Sequence, residues 1–146
     1  MLLGLSPHEL SSDRSIRLAM TGKGGADVLH GKAIALVDDD EAVRDAIQGL
    51  LEVLDVEVRA YQSGIDFLQD GPKVACLILD YNMPDLNGFD VISELRKRGV
   101  ELPTIMITAI GDLTIERRAA EMGVTRVLAK PIRTPVVLTA LREAIE

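Results

Sequence analysis

Tryptophan is missing from this chain, cysteine occurs once, and the other rings amount to two Phe and two Tyr. A single thiol, Cys76, cannot close an internal disulfide; inside an apolar run it reads as a buried core residue in a reducing setting. So few rings leave little on which bases could stack. Basic residues are also short, 16 Lys and Arg against 23 Asp and Glu, a net charge of −7. Both shortages argue against a nucleic-acid surface, which sets basic groups against phosphates. No apolar stretch approaches the roughly 20 residues that span a bilayer. The opening MLLGLSPHEL lacks a basic segment, and Pro7, His8 and Glu9 break its apolar run, so no signal peptide is expected. A cytoplasmic protein without direct nucleic-acid or membrane contacts is the expectation.

What is present suits one globular domain with a short appendage: 146 residues can bury a real core. Ala33–Val37, Val74–Leu79 and Thr104–Thr108 are continuous apolar runs rich in Ile and Val, the mark of parallel strands covered on both faces. Glu57–Tyr61 and Arg126–Ala129 are weaker strand candidates. Helical spacing lies between them. Val43, Ile47, Leu50, Leu51 and Leu54 recur at helical steps behind a capping Asp40. Ile65–Leu68 predicts a short helix stopped by Gly71-Pro72, and Val91, Ile92 and Leu95 predict another after Gly88. Ile115, Ala119 and Met122 form a further helix ended by Gly123, and Val136 to Ile145 the last. Repeated strand–helix alternation means an α/β fold, a doubly wound parallel sheet with helices on both faces.

Residues 1–31 stand apart as an N-terminal extension, with the domain proper at 32–146. Ser6–Glu9 reads as a capping box with Pro7 at the first helical position, so a partly helical arm is expected there.

The polar residues gather at one place on this map. Asp38 and Asp39 follow the first strand, Asp80 ends the third, Thr108 ends the fourth and Lys130 follows the fifth. All are carboxyl ends of parallel strands, the rim on which open α/β sheets bind ligands. Clustered acids repel unless a cation separates them, and an oxygen-rich site with few protein ligands suits Mg²⁺ completed by a phosphate. A lysine and a hydroxyl opposite could hold the remaining phosphate oxygens, and an aspartate between metal and lysine could act as nucleophile. Taken singly, each residue has a plainer reading: Asp38–Glu41 a solvated turn or cap, Thr108 a strand end, Lys130-Pro131 a loop exit. The order and spacing together point to phosphoryl transfer onto the protein.

ALVDDDEAVR, LILDYNMPDLNGFDVI, IMITA and LAKPI resemble the receiver domains of two-component response regulators, over about Lys32 to Glu146. The resemblance implies a flavodoxin-like, five-stranded sheet of order 2-1-3-4-5 with five helices. It implies that Asp80 accepts a phosphoryl group from a histidine kinase or phosphotransfer protein. It further implies Mg²⁺ held by Asp38, Asp39, Asp80 and the backbone carbonyl of Asn82, with Thr108 and Lys130 contacting the phosphoryl group. The chemistry would be self-phosphorylation and self-dephosphorylation, not turnover of an external substrate. A cis Lys130-Pro131 bond and a small residue, Ala109, after the switch threonine belong to the same pattern.

Output would pass through protein contacts to a downstream target, with a homodimer through residues 113–146 as one form. Val127 departs from the pattern, since the family usually carries Tyr or Phe there as a ring that moves with the threonine. The sequence also stops at the last helix without an effector, as expected of a single-domain regulator, or of a receiver fragment of a larger regulator or hybrid histidine kinase. Two other readings stand beside this one. A haloacid-dehalogenase-like Mg²⁺-dependent phosphohydrolase also uses a rim aspartate, but on the first strand within Asp-x-Asp; here the nucleophile candidate lies on the third strand and Asn82 stands two residues on. A binding module that has lost phosphorylation would not be expected to keep the full set of site residues.

Overall fold

A computed structural model describes residues 28–109 and 113–146; the helical arm expected in the first 27 residues lies outside them. The strands are β1 (Ala33–Val37), β2 (Glu57–Tyr61), β3 (Cys76–Asp80), β4 (Thr104–Thr108) and β5 (Arg126–Ala129). All neighbours pair in parallel, in the order β2-β1-β3-β4-β5. The helices are α1 (Glu41–Val53), α2 (Gly64–Asp70), α3 (Gly88–Lys97), α4 (Leu113–Glu121) and α5 (Thr134–Ile145). Fold class and strand order are those expected from the sequence.

β3 differs from its apolar run, beginning two positions later and ending on the carboxylate. Register explains the shift. Cys76 is the first residue with a partner, Ile34 of β1, while Ala75 joins through its N–H to the Ala33 carbonyl at 2.8 Å. Hydrophobicity started the run early, but ladder pairing decides where the strand begins.

Each helix forms for a local reason. Asp40 caps α1 by accepting from the Ala42 N–H, and Val43, Ile47, Leu50 and Leu51 bury one stripe. Ser63 caps α2, which Gly71 ends in the left-handed region at φ 54°. Asn87 and Asp90 form a reciprocal capping box on α3. On one side of the sheet Ile34, Leu36 and Ile78 pack with Ile47, Leu50, Val137 and Leu141. On the other, Val37, Leu77, Leu79 and Met106 pack with Phe67, Val91 and Leu95. Each fully buried Leu or Ile of these layers contributes roughly 1.5–3 kcal/mol. Cys76 lies fully buried in the first layer, its thiol pushed up to about 12 by burial, as a core residue should be. Leu29, before β1, is also fully buried in the first layer.

β2 is an edge strand with Glu57, Arg59 and Ala60 exposed, which accounts for its weak apolar signal. No described helix is long and apolar enough to cross a membrane.

Two glycines should respond oppositely to a methyl group. At Gly88, where α3 starts under the end of β3, an added Cβ would lie 2.8 Å from Met106 Cε, 3.2 Å from Tyr81 Cα and 3.4 Å from the Asp80 carbonyl oxygen. Gly88→Ala should therefore destabilise by about 1–3 kcal/mol. Gly49, inside α1, has nothing within 4 Å of that position, so Gly49→Ala should stabilise by up to about 1 kcal/mol through helix propensity. Urea midpoints of both variants against the parent check the pair of signs.

Candidate functional site

The order β2-β1-β3-β4-β5 reverses between β1 and β3, and the crevice beyond those two strand ends is where an open α/β sheet binds ligands. β1 delivers Asp38 and Asp39 to it, and β3 delivers Asp80. One carboxylate oxygen from each of the three lies within 4.8 Å of the others. Lys130, at the exit of β5, reaches in from the far side. Its Nζ stands 3.3 Å from Asp38 Oδ2 and 3.7 Å from Asp80 Oδ2. Thr108 ends β4 and is buried, and its carbonyl accepts from the Lys130 N–H at 2.8 Å, tying the two loops together. The Lys130-Pro131 bond is cis.

Backbone donors fix the acids. Asp38 Oδ1 accepts from the Asp40 N–H at 2.9 Å, and Asp80 Oδ1 accepts from the Asn82 N–H at 3.3 Å. Asn82 thus meets the site through its N–H, a contact not expected from the sequence, which named its carbonyl. Asp38 is fully buried and Asp80 is 2% exposed, whereas Asp39 faces solvent. Burial raises the Asp38 carboxyl above its ordinary range, opposed by the Asp40 N–H and by Lys130. Burial, then the neighbouring Asp38 charge, push Asp80 up to about 7. One lysine does not balance this set.

The donor set fits a hard divalent cation. Asp38 Oδ2 is buried without a hydrogen bond; its contact with Lys130 is a charge pair without hydrogen-bond alignment. A carboxylate oxygen in that condition, beside two further carboxylates, offers lone pairs that a cation would satisfy.

Arg44 was not anticipated from the sequence. From α1 its guanidinium donates to the Asp38 carbonyl at 2.7 Å. The helical pattern marks apolar positions, and an arginine between Val43 and Ile47 gives no signal that it turns toward the rim.

Five parallel strands in this order, with acids converging at the β1 and β3 ends, define a flavodoxin-like α/β protein carrying a rim-sited acid cluster. Residues 34–142 match the family described as the response regulator receiver domain. The chain belongs to that family. It is 36% identical over 115 residues to response regulator protein TmoT of Ectopseudomonas mendocina, covering 77% of this chain and 52% of that protein. Nodulation protein W of Bradyrhizobium diazoefficiens is 35% identical over 133 residues, covering 89% of this chain and 59% of its own. Among solved structures, FixJ-N superposes with a TM-score of 0.72 at 27% identity, covering 80% of this chain and 94% of that one. The chain spans about half the length of the curated relatives it matches. A dehalogenase-like phosphohydrolase is not favoured by these matches.

The raised carboxyls set a pH dependence of opposite sign to that of an ordinary surface acid. Asp80 holds its proton more tightly folded, with a pKa of about 7, than unfolded, at 3.8. Without metal, its contribution to stability is therefore complete below about pH 4 and lost as pH rises toward about 7, by on the order of a few kcal/mol. Asp80→Asn in excess chelator should melt close to the parent at the acid end of that window and above it at the alkaline end. Thermal melts across the window check this, and equal melting temperatures throughout would contradict it.

Proposed function

We propose that this receiver domain accepts a phosphoryl group on Asp80 from the phosphohistidine of a histidine kinase or phosphotransfer protein. The observation that carries the reading is the convergence of Asp38, Asp39, Asp80 and Lys130 at the sheet's switch point, with Asp38 Oδ2 buried and without a hydrogen bond. An Asp80 carboxylate oxygen attacks phosphorus, the phosphorus–nitrogen bond breaks, and its electron pair leaves on the imidazole. Asp80 must be ionised to attack. Lys130 favours that form, and Asp38 opposes it. Asp38, Asp39, Asp80 and the Asn82 carbonyl would hold Mg²⁺, which when bound neutralises these acids and the phosphoryl oxygens. Lys130 and the Thr108 hydroxyl hold the remaining phosphoryl oxygens. No external substrate is turned over.

The signal leaves through protein contacts. New charge beside Thr108 draws the threonine inward and biases the packing of α4; the Ala109–Asp112 loop expected to follow it lies largely outside the described residues. α4 suits such a shift, because Ala119 is its one buried residue and Leu113 is 76% exposed. α4, β5 and α5 form the face that a downstream protein target, or a second copy in a homodimer through 113–146, would meet.

Acetyl phosphate with Mg²⁺ should add one phosphoryl group to the parent chain and none to Asp80→Asn, read by intact mass; equal labelling of both would sink the assignment. Asp39→Ala should bind Mg²⁺ far more weakly than the parent in a direct titration.

Amide exchange with a phosphoryl mimic is expected to change at residues 108–130 as well as around Asp38–Asp40 and Asp80–Gly88. Change confined to the latter two segments would replace the switch with a phosphate-shuttle role.

A further inference from the structure

Asp38 is the first residue past the β1 ladder, whose last pairs are Val37 with Tyr61 and Val37 with Leu79. Its carbonyl lies where strand pairing has ended, and Arg44 Nη1 donates to it at 2.7 Å from α1. That carbonyl belongs to the peptide joining Asp38 to Asp39, so its orientation sets the backbone from which Asp39 projects. Asp38 is held independently, through Oδ1 by the Asp40 N–H and through Oδ2 by Lys130. Asp39 is exposed, and the ion pairs of Lys130 go to Asp38 and Asp80 instead. Its backbone is held on one side by the Asp40 N–H on Asp38 Oδ1 and on the other by the carbonyl that Arg44 grips.

We infer that Arg44 is a positioning residue for the acid cluster: by clamping the Asp38–Asp39 peptide it keeps Asp39 aimed at the cation. The inference rests on the proposal that the cluster takes Mg²⁺. Two simpler roles compete with it. Arg44 could staple α1 to the sheet without affecting the site, or its positive charge could weaken cation binding. The three roles differ in sign. Loss of a positioning group weakens metal binding, loss of a staple lowers melting temperature alone, and loss of a repelling charge tightens metal binding. Arginine suits the positioning role because its rigid fork surrenders less freedom per hydrogen bond than a lysine does.

The test is calorimetric titration of the full chain with Mg²⁺ alone, for the parent, Arg44→Met and Arg44→Lys. Melting curves of each establish that it is folded. Positioning predicts affinity about tenfold weaker in Arg44→Met, at the low end for groups that orient metal ligands, with Arg44→Lys between it and the parent. Labelling by acetyl phosphate should recover in Arg44→Met once Mg²⁺ is saturating, since Asp80, Thr108 and Lys130 are untouched. Unchanged affinity with a lowered melting temperature would overturn the inference in favour of a staple, and tighter binding would overturn it in favour of repulsion. If Arg44→Met does not fold, Arg44→Lys decides: weakened binding supports positioning, parental binding refutes it. A parent chain that binds no Mg²⁺ would instead remove the metal reading itself, a result distinct from either.

Discussion

Asp38 and Asp80 are both buried, both within 4 Å of the single ammonium of Lys130, and both raised above the usual carboxylate range. That shared lysine is the contact on which the arrangement turns. Without it, two desolvated acids would face each other with nothing between them, and at least one would have to stay protonated. With it, the pair is held at an intermediate point: close enough to neutral to fold, yet still short of positive charge. In the proposed reading a divalent cation would supply the missing positive charge, for the same reason that the cluster is unstable without one. Stability and ligand affinity are therefore opposed at this rim, and removing a buried carboxylate should relieve the fold while weakening the site.

The sheet makes that opposition possible by controlling where the acids emerge. β1 and β3 are adjacent and parallel, with Val37 opposite Leu79, so Asp38 and Asp80 leave the ladder side by side. β4 runs in step, with Asp80 opposite Ile107, and the Tyr81 N–H continues onto the Ile107 carbonyl at 2.8 Å. The loop after β3 then folds back tightly, the Gly88 N–H meeting the Tyr81 carbonyl at 3.0 Å. A side chain at Gly88 would press on Tyr81 and Asp80 directly. The glycine is thus part of the site's geometry although it contributes no chemistry.

Much of this was legible in the sequence because it depends on runs and ends. β1, β2, β4 and β5 fall on the segments marked as strands, and Asp40 caps α1 as expected, whereas the caps Ser63 and Asn87 emerge only from the structure. The acids could be located because each lies at or just past a strand's end, and a strand end is a definite place. What escaped depends on contacts between distant positions. The start of β3 is set by a partner on β1, and Leu29 is buried by a layer that its own neighbours do not announce. Arg44 acts on a main-chain oxygen, which sequence patterns do not display at all.

Val127 bears on how a signal could travel. It is half-buried, packed against the layer of Leu79, Met106 and Val91, and paired with Met106 across β4. A ring at that position could exchange a buried for an exposed rotamer, whereas valine has one short, stiff side chain with no such alternative. In the proposed reading, motion of Thr108 therefore has to be taken up by backbone and by whole-helix packing. α4 is built for that, because Ala119, a residue with a single methyl, is all that it buries completely. A helix held so lightly can move as a unit at little energetic cost, since few close-packed contacts must be broken. In that reading, valine in place of a ring makes the loose attachment of α4 the more important property of the proposed output face.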